Sequence, residues 1–231
     1  MMNKRLDEDG ENNQQDFALR SVCVRGEVQM PIVVWHIEQC YDNSGDEALE
    51  VVYTFPTPNG ALVRNIVIDW AGQTLTGVVK AKSQAQANYD DAIENGDSAV
   101  LIERNPFGIY TANLGNLAPG ETCRVQFEAV QLLSIVGDRA DLHLPTVIGQ
   151  RYGDAQHSGG IAQHALPHSG WDAAYPLDIS IELHNEAAHF MAFSPSHRMD
   201  VSGSNPRVYA LKGKAFLDRD FELQLSGLPL K

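Results

Sequence analysis

The chain has 231 residues, with 30 acidic against 17 basic side chains and a formal net charge of −13. A surface of that sign repels nucleic-acid phosphates and anionic lipid headgroups, so neither is an expected partner. Its composition is that of a globular chain, and no apolar run reaches the ~20 residues of a membrane-spanning helix.

Cys23, Cys40 and Cys123 are odd in number, far apart and in no C-x-x-C pair. Each falls in a strand-like run, where a free thiol behaves as a small hydrophobe. The pattern is neither a disulfide framework nor a zinc site, and it fits a reducing compartment. The opening MMNKRLDEDGENNQQDF has no apolar core of a signal peptide, so a cytoplasmic location is expected.

Residues 1–16 are polar and read as a loose, flexible N-terminal segment. Strand patterns follow at Ser21–Val28, Pro31–Tyr41 and Ala48–Phe55. The turn-forming DNSGDE between the last two suggests a hairpin, and Pro56 and Pro58 end the run. Val63–Trp70 and Thr74–Lys80 suggest a second hairpin around Ala71-Gly72-Gln73. A short α-helix is expected at about 83–95. Ser83 and Gln86 form a capping box there, Ala85, Tyr89, Ala92 and Ile93 form one apolar stripe, and Gly96 is the C-terminal cap. Further strands are expected at Ala99–Glu103, Ile109–Leu114, Thr122–Leu133 and Asp141–Leu144. Between two of them, Pro119 and Gly120 suit the centre of a type II turn. Residues 153–175 lack periodicity and read as a long surface loop. Pro176–His184 alternates cleanly, and short strands follow near 189–194, 207–212 and 221–225. The sum is an all-β, antiparallel β-sandwich with one short helix.

Chemistry-bearing patterns are sparse. Asp200, Ser202 and Ser204 match D-x-S-x-S, in which an Asp and two hydroxyls hold a divalent cation. The buried apolar strand that should precede such a site is replaced by His197-Arg198-Met199, and small polar residues around Gly203 are what any turn uses. His157, His164 and His168 could ligate zinc or copper if their loop folded around them, but their spacing fits no standard site. Asp218-Arg219-Asp220 reads as surface pairing. There is no G-x-S-x-G, H-E-x-x-H, G-x-G-x-x-G or P-loop. No catalytic, cofactor-binding or metal-binding residue is therefore assigned, and no cofactor is expected.

The middle of the chain resembles a known family, the VIT domain of vault-associated poly(ADP-ribose) polymerase and inter-alpha-trypsin inhibitor heavy chains. Glu38-Gln39-Cys40-Tyr41-Asp42-Asn43 resembles its Q-x-[FY]-x-N strand end, and Tyr53-Thr54-Phe55-Pro56-Thr57-Pro58 its Y-x-F-P-x-P. Gly77 to Lys80 and the helix with Ala85, Tyr89, Ala92 and Gly96 follow in order. Then come Asn113 to Asn116 with Leu117-Ala118-Pro119-Gly120-Glu121, and Leu144-Pro145-Thr146 with Gln150-Arg151-Tyr152. The resemblance covers about 21–153. Ser194–His197 (SPSH) and Leu217–Phe221 (LDRDF) resemble the segment joining a VIT domain to a von Willebrand A domain in bacterial proteins.

The resemblance implies a VIT-like β domain over 17–153, then a loop at 154–175. Strands in 176–231 would complete the same domain and lead to a von Willebrand A domain beyond Lys231. It brings no catalytic residues. The expected function is a non-catalytic scaffolding module that packs on that domain, presents or regulates it, and binds other proteins. The alternative is a metal-dependent enzyme or enzyme subunit using the His-bearing loop.

Overall fold

Strict alternation of buried and outward residues builds the centre of the molecule. The computed structural model describes residues 17–78, 80–97, 99–104, 109–146 and 175–228. Residues 1–16, nearly all of the 154–175 loop with its three histidines, and Gln150-Arg151-Tyr152 lie outside the described residues. In chain order the elements are β1 (Phe17–Gln29), β2 (Ile32–Asn43), β3 (Leu49–Pro56), β4 (Leu62–Trp70) and β5 (Gln73–Thr76). Helix α1 (Lys82–Glu94) is followed by β6 (Ala99–Arg104), β7 (Ile109–Leu117), β8 (Thr122–Leu132), β9 (Ile135–Val136) and β10 (Arg139–Leu144). The remainder is β11 (Pro176–Leu183), a 3-10 turn (Asn185–His189), β12 (Met191–Phe193), β13 (Met199–Ser202), β14 (Arg207–Leu211), β15 (Ala215–Phe216) and β16 (Phe221–Ser226).

The large sheet runs β13-β14-β11-β1-β2-β8-β4-β5, with β15 added beside β11. Smaller sheets, β12-β16-β10-β9 and β3-β7-β6, complete the fold. Val33, Trp35 and Ile37 of β2, Val125 and Phe127 of β8, Ala112 and Leu117 of β7, and Leu142, Leu223 and Leu225 of β10 and β16 belong to one continuous core. The expected all-β class with one short helix therefore holds for the described residues. The pairing is mixed, not purely antiparallel, because β1 and β11 run parallel from Val22↔Leu177 to Val28↔Leu183. A parallel pair needs a long crossover, and here nearly the whole chain between them supplies it.

The anticipated β2–β3 hairpin does not form. β2 pairs with β1 and β8, while β3 pairs with β7 in another sheet. DNSGDE is thus a crossing between sheets. The second hairpin does form: β4 and β5 join through Ala71 and Gly72, at φ 48° and 76°. Positive φ at both positions is what a type I′ turn requires. Its second strand stops at Thr76, short of Lys80.

The helix begins one residue early, after Ala81, and no side chain caps it. Ser83 is therefore inside the first turn and the expected capping box is not made. The other end matches expectation. Gly96 has φ 79°, its N–H donates to Ile93 O (3.0 Å), and the Asp97 N–H donates to Ala92 O (2.9 Å). These are the two bonds of a Schellman cap. Tyr89 on the apolar stripe is buried. The stripe sits directly on Gly115 of β7, where a methyl group would overlap Ile93 Cδ1 and stand 2.8 Å from Tyr89 Oη. Only glycine lets the helix approach this closely.

The three thiols divide. Cys123 is buried as expected, whereas Cys23 is exposed on the outward side of β1. No helix among the described residues is long and apolar enough to cross a membrane.

Candidate functional site

Two places gather residues that stand out in the sequence, and a third emerges only from the fold. The first is the inner end of β2. Gln39 and Asn43 are buried polar residues, and Gln39 Oε1 accepts from Tyr41 Oη at 2.9 Å. Asn43 Nδ2 donates to Glu47 O and Leu117 O, both at 2.8 Å, and its Oδ1 accepts from Gly45 N at 3.0 Å. Its backbone N–H donates to Glu121 O (3.0 Å), and its carbonyl accepts from Gly120 N (2.7 Å). Gly120 has φ 76°, and the Glu121 N–H donates to Ala118 O at 3.1 Å, so the expected turn forms at Pro119-Gly120. The Glu121 carboxylate accepts from Ala118 N (3.0 Å) and Trp70 Nε1 (2.9 Å). Asn43 and the Glu121 carboxylate fix backbone, while Gln39 and Glu121 also hold the Tyr41 hydroxyl and the Trp70 indole, so these hydrogen bonds serve the fold.

The second place is a corner where three sequence segments meet. Thr146 donates its N–H to Asp220 Oδ1 (2.9 Å) and its hydroxyl to Arg219 O (2.6 Å). Ser196 Oγ accepts from Glu222 N (2.9 Å) and lies 2.8 Å from His197 Nδ1. The His197 ring lies against Phe221, with centroids 5.8 Å apart. Burial holds the His197 imidazole below its ordinary pKa. The Arg219 guanidinium lowers it further, and Asp218 partly opposes. Asp218 is itself lowered, chiefly by its hydrogen bond from Arg219. A Ser–His contact invites comparison with a nucleophile and its base. Here the hydroxyl is tied to the start of β16, and His197 Nε2 is buried without a partner among the described residues. The arrangement clamps Leu144–Thr146, Ser194–His197 and Leu217–Phe221 together.

Asp200, Ser202 and Ser204 span the hairpin from β13 into β14. Met199 to Ser202 pair with Leu211 to Val208, and Gly203 has φ 68°. The exposed Asp200 carboxylate meets Lys212 Nζ at 3.0 Å. No group of three or more metal-competent side chains occurs among the described residues.

The third place is the outward face of the large sheet, which the sequence pattern does not single out. Across its middle runs a chain of charged side chains linked through His36. Glu182 meets Arg25 at 2.8 Å, Arg25 meets Glu27 at 3.0 Å, and Glu27 meets His36 at 3.4 Å. His36 meets Glu128 at 3.5 Å, and Glu128 meets Arg64 at 3.0 Å. At one end this network gives way to apolar side chains. Ile32 pairs with Leu132, Val34 with Val130, and Leu62 with Val130. Partners directly opposite share a face, so these five residues form one outward patch. Ile32 is 43%, Leu132 71% and Leu62 73% exposed. The positions are visible in the sequence as apolar residues out of phase with the core. Only the register shows that they converge.

Residues 19–129 match the family model of the Vault protein inter-alpha-trypsin domain. A von Willebrand factor A domain-containing protein of Dictyostelium discoideum is 28% identical over 132 residues, covering 56% of this chain and 14% of that protein. Von Willebrand factor A domain-containing protein 5A of Rattus norvegicus is 23% identical over 221 residues, covering 91% of this chain and 27% of its own length. A protein mono-ADP-ribosyltransferase of Homo sapiens is 23% identical over 169 residues, covering 71% of this chain and 10% of its own. The chain thus spans under a third of the length of each of these relatives. The Gln39-Tyr41-Asn43 strand end, the Pro119-Gly120-Glu121 turn and the Gly96-capped helix all fall inside the matched stretch. Residues 19–129 of this chain belong to the Vault protein inter-alpha-trypsin (VIT) domain family.

Proposed function

We propose that the chain is a non-catalytic protein-interaction module that packs on a von Willebrand A domain and presents or regulates it. The observation carrying this reading is the outward patch of Ile32, Val34, Leu62, Val130 and Leu132, bordered at one end by the charged side chains Arg25, Glu27 and Glu128 with His36 among them. A contiguous exposed apolar patch flanked by charged side chains is a feature of protein interfaces. The relatives that carry von Willebrand A domains favour that domain as the occupant.

Hydrogen–deuterium exchange tests this on residues 1–231, alone and joined to a von Willebrand A domain. The expected result is protection of amides near 32–34, 62 and 130–136 in the joined protein, lost in Leu132→Asp. Unchanged exchange over these segments would sink the proposal.

A further inference from the structure

A recess lies along β4 beside β6 and α1, remote in kind from the apolar patch. Asn65 at φ 51° sits in a bulge between Arg64 and Val67, and β5 pairs with β4 only from Val67 onward. The preceding stretch Val63–Ile66 is thereby left to face β6 and the first turns of α1. Between them is a cleft of about 450 Å³, within the usual range for small-molecule sites. Its walls are apolar and aromatic, with Ile66, Val100, Ile102, Tyr89 and Tyr110 among them.

The cleft's charge runs against that of the molecule. Arg64, Lys80 and Arg104 line it, and no Asp or Glu does among the described lining residues. This occurs in a chain with 30 acidic and 17 basic side chains. Arg64 shares its charge with Glu128 at 3.0 Å. Glu103, on the same strand as Arg104, is matched by Lys82 at 3.1 Å. Arg104 makes no ion pair among the described residues. It stands beside Tyr110, its register partner on β7. A recess with low-dielectric walls and one sign of charge concentrates the opposite ion.

We infer that this cleft is a binding site for a small organic anion. The ligand class is an apolar, ring-sized body carrying a carboxylate, sulfonate or phosphate. The apolar body would lie on Ile66, Val100 and Ile102, and the acid group would be held by Arg104 and Lys80. An uncharged analogue would leave the two cations without their counterion, and a cationic one would be repelled.

The probe is 1-anilinonaphthalene-8-sulfonate, titrated by fluorescence and calorimetry against the whole chain. One equivalent should bind saturably, and more weakly as salt rises. Arg104→Gln combined with Lys80→Gln should weaken binding by about tenfold or more, since both charge contacts to the acid group are lost. Circular dichroism and thermal midpoint should stay at wild-type values, since both side chains are exposed. Leu132→Asp, in the outward patch, should bind the probe as wild type does, which separates this site from the proposed interface. Three results would each overturn the assignment: no saturable binding, equal binding by the Gln variants, or equal binding of uncharged N-phenyl-1-naphthylamine.

Discussion

Gly26 of β1 and Trp35 of β2 are direct register partners, and the indole occupies the space a side chain at 26 would need. A Cβ there would stand 3.1 Å from Trp35 Cζ3 and 2.7 Å from Ile181 Cδ1. Trp35 is fully buried, and its Nε1 donates to Gln131 Oε1 at 3.1 Å, so the ring has no easy retreat. Gly26→Ala should cost about 1–3 kcal/mol by overpacking, and Gly26→Val more. Ile181→Val in the Gly26→Ala background should recover part of the loss by withdrawing the nearer atom. Urea unfolding followed by tryptophan fluorescence reads both. A Gly26→Ala protein as stable as wild type would show that the ring is not fixed.

That position also shows how far the sequence could be read. Val22, Val24 and Val28 announce a strand by alternation, and Gly26 interrupts it without saying why. The reason is a bulky ring on another strand, which period-2 patterning cannot reveal. The helix stripe, Gly96 and the Pro119-Gly120 turn were legible because each is set by residues within a few positions. The β2–β3 connection misleads for the converse reason. Asn43 looks like the start of a local turn, yet its side chain is bound to Leu117, 74 residues away. Likewise Ile32, Leu62 and Leu132 read as stray apolar residues until the register places them together.

Asn43 should therefore behave as a core residue despite its polarity. Asn43→Ala leaves two carbonyls and the Gly45 N–H without their partner. A buried unsatisfied group costs about 1–3 kcal/mol, and a loss of that size or somewhat more is expected. Asn43→Asp should be worse at neutral pH, because an acceptor then faces Glu47 O and Leu117 O. Its deficit relative to Asn43→Ala should shrink as the pH falls and the carboxyl regains a proton. Denaturation midpoints at two pH values decide this, and a gap that does not change with pH would contradict it.

Cys123 is fully buried, and burial, followed by the neighbouring Asp69, pushes its thiol up to about 12. The folded value exceeds the unfolded one, so its contribution is complete below the unfolded value of about 9 and is lost as pH rises toward 12. The full span corresponds to stabilisation on the order of 4 kcal/mol. Cys123→Ser, with an ordinary hydroxyl, should be less stable at neutral pH yet show a shallower alkaline decline. In the native protein Cys123 should also resist Ellman's reagent until unfolding exposes it, while the exposed Cys23 reacts first. Labelling of Cys123 at the rate of Cys23 would refute this.

His197 supplies the opposite pH dependence. Its folded pKa lies below the ordinary imidazole value because the ring is packed against Phe221, and because the Arg219 guanidinium opposes a second positive charge. Its share of stability is therefore complete above the unfolded value and is lost as pH falls through the folded one. Arg219→Gln removes the repelling cation and frees the Asp218 carboxylate to favour the imidazolium, so both changes raise the pKa of His197. Asp218→Asn removes the one group that supports the protonated ring and should lower it. NMR titration of the His197 ring carbons in the three proteins gives the order Arg219→Gln above wild type above Asp218→Asn. Because Ser196 joins this ring to the start of β16, acidification should loosen the Ser194–His197 and Leu217–Phe221 clamp before the large sheet opens. Amide exchange at Glu222, whose N–H donates to Ser196 Oγ, reports that step directly. If its protection were independent of pH while His197 titrated, the ring and the clamp would be uncoupled.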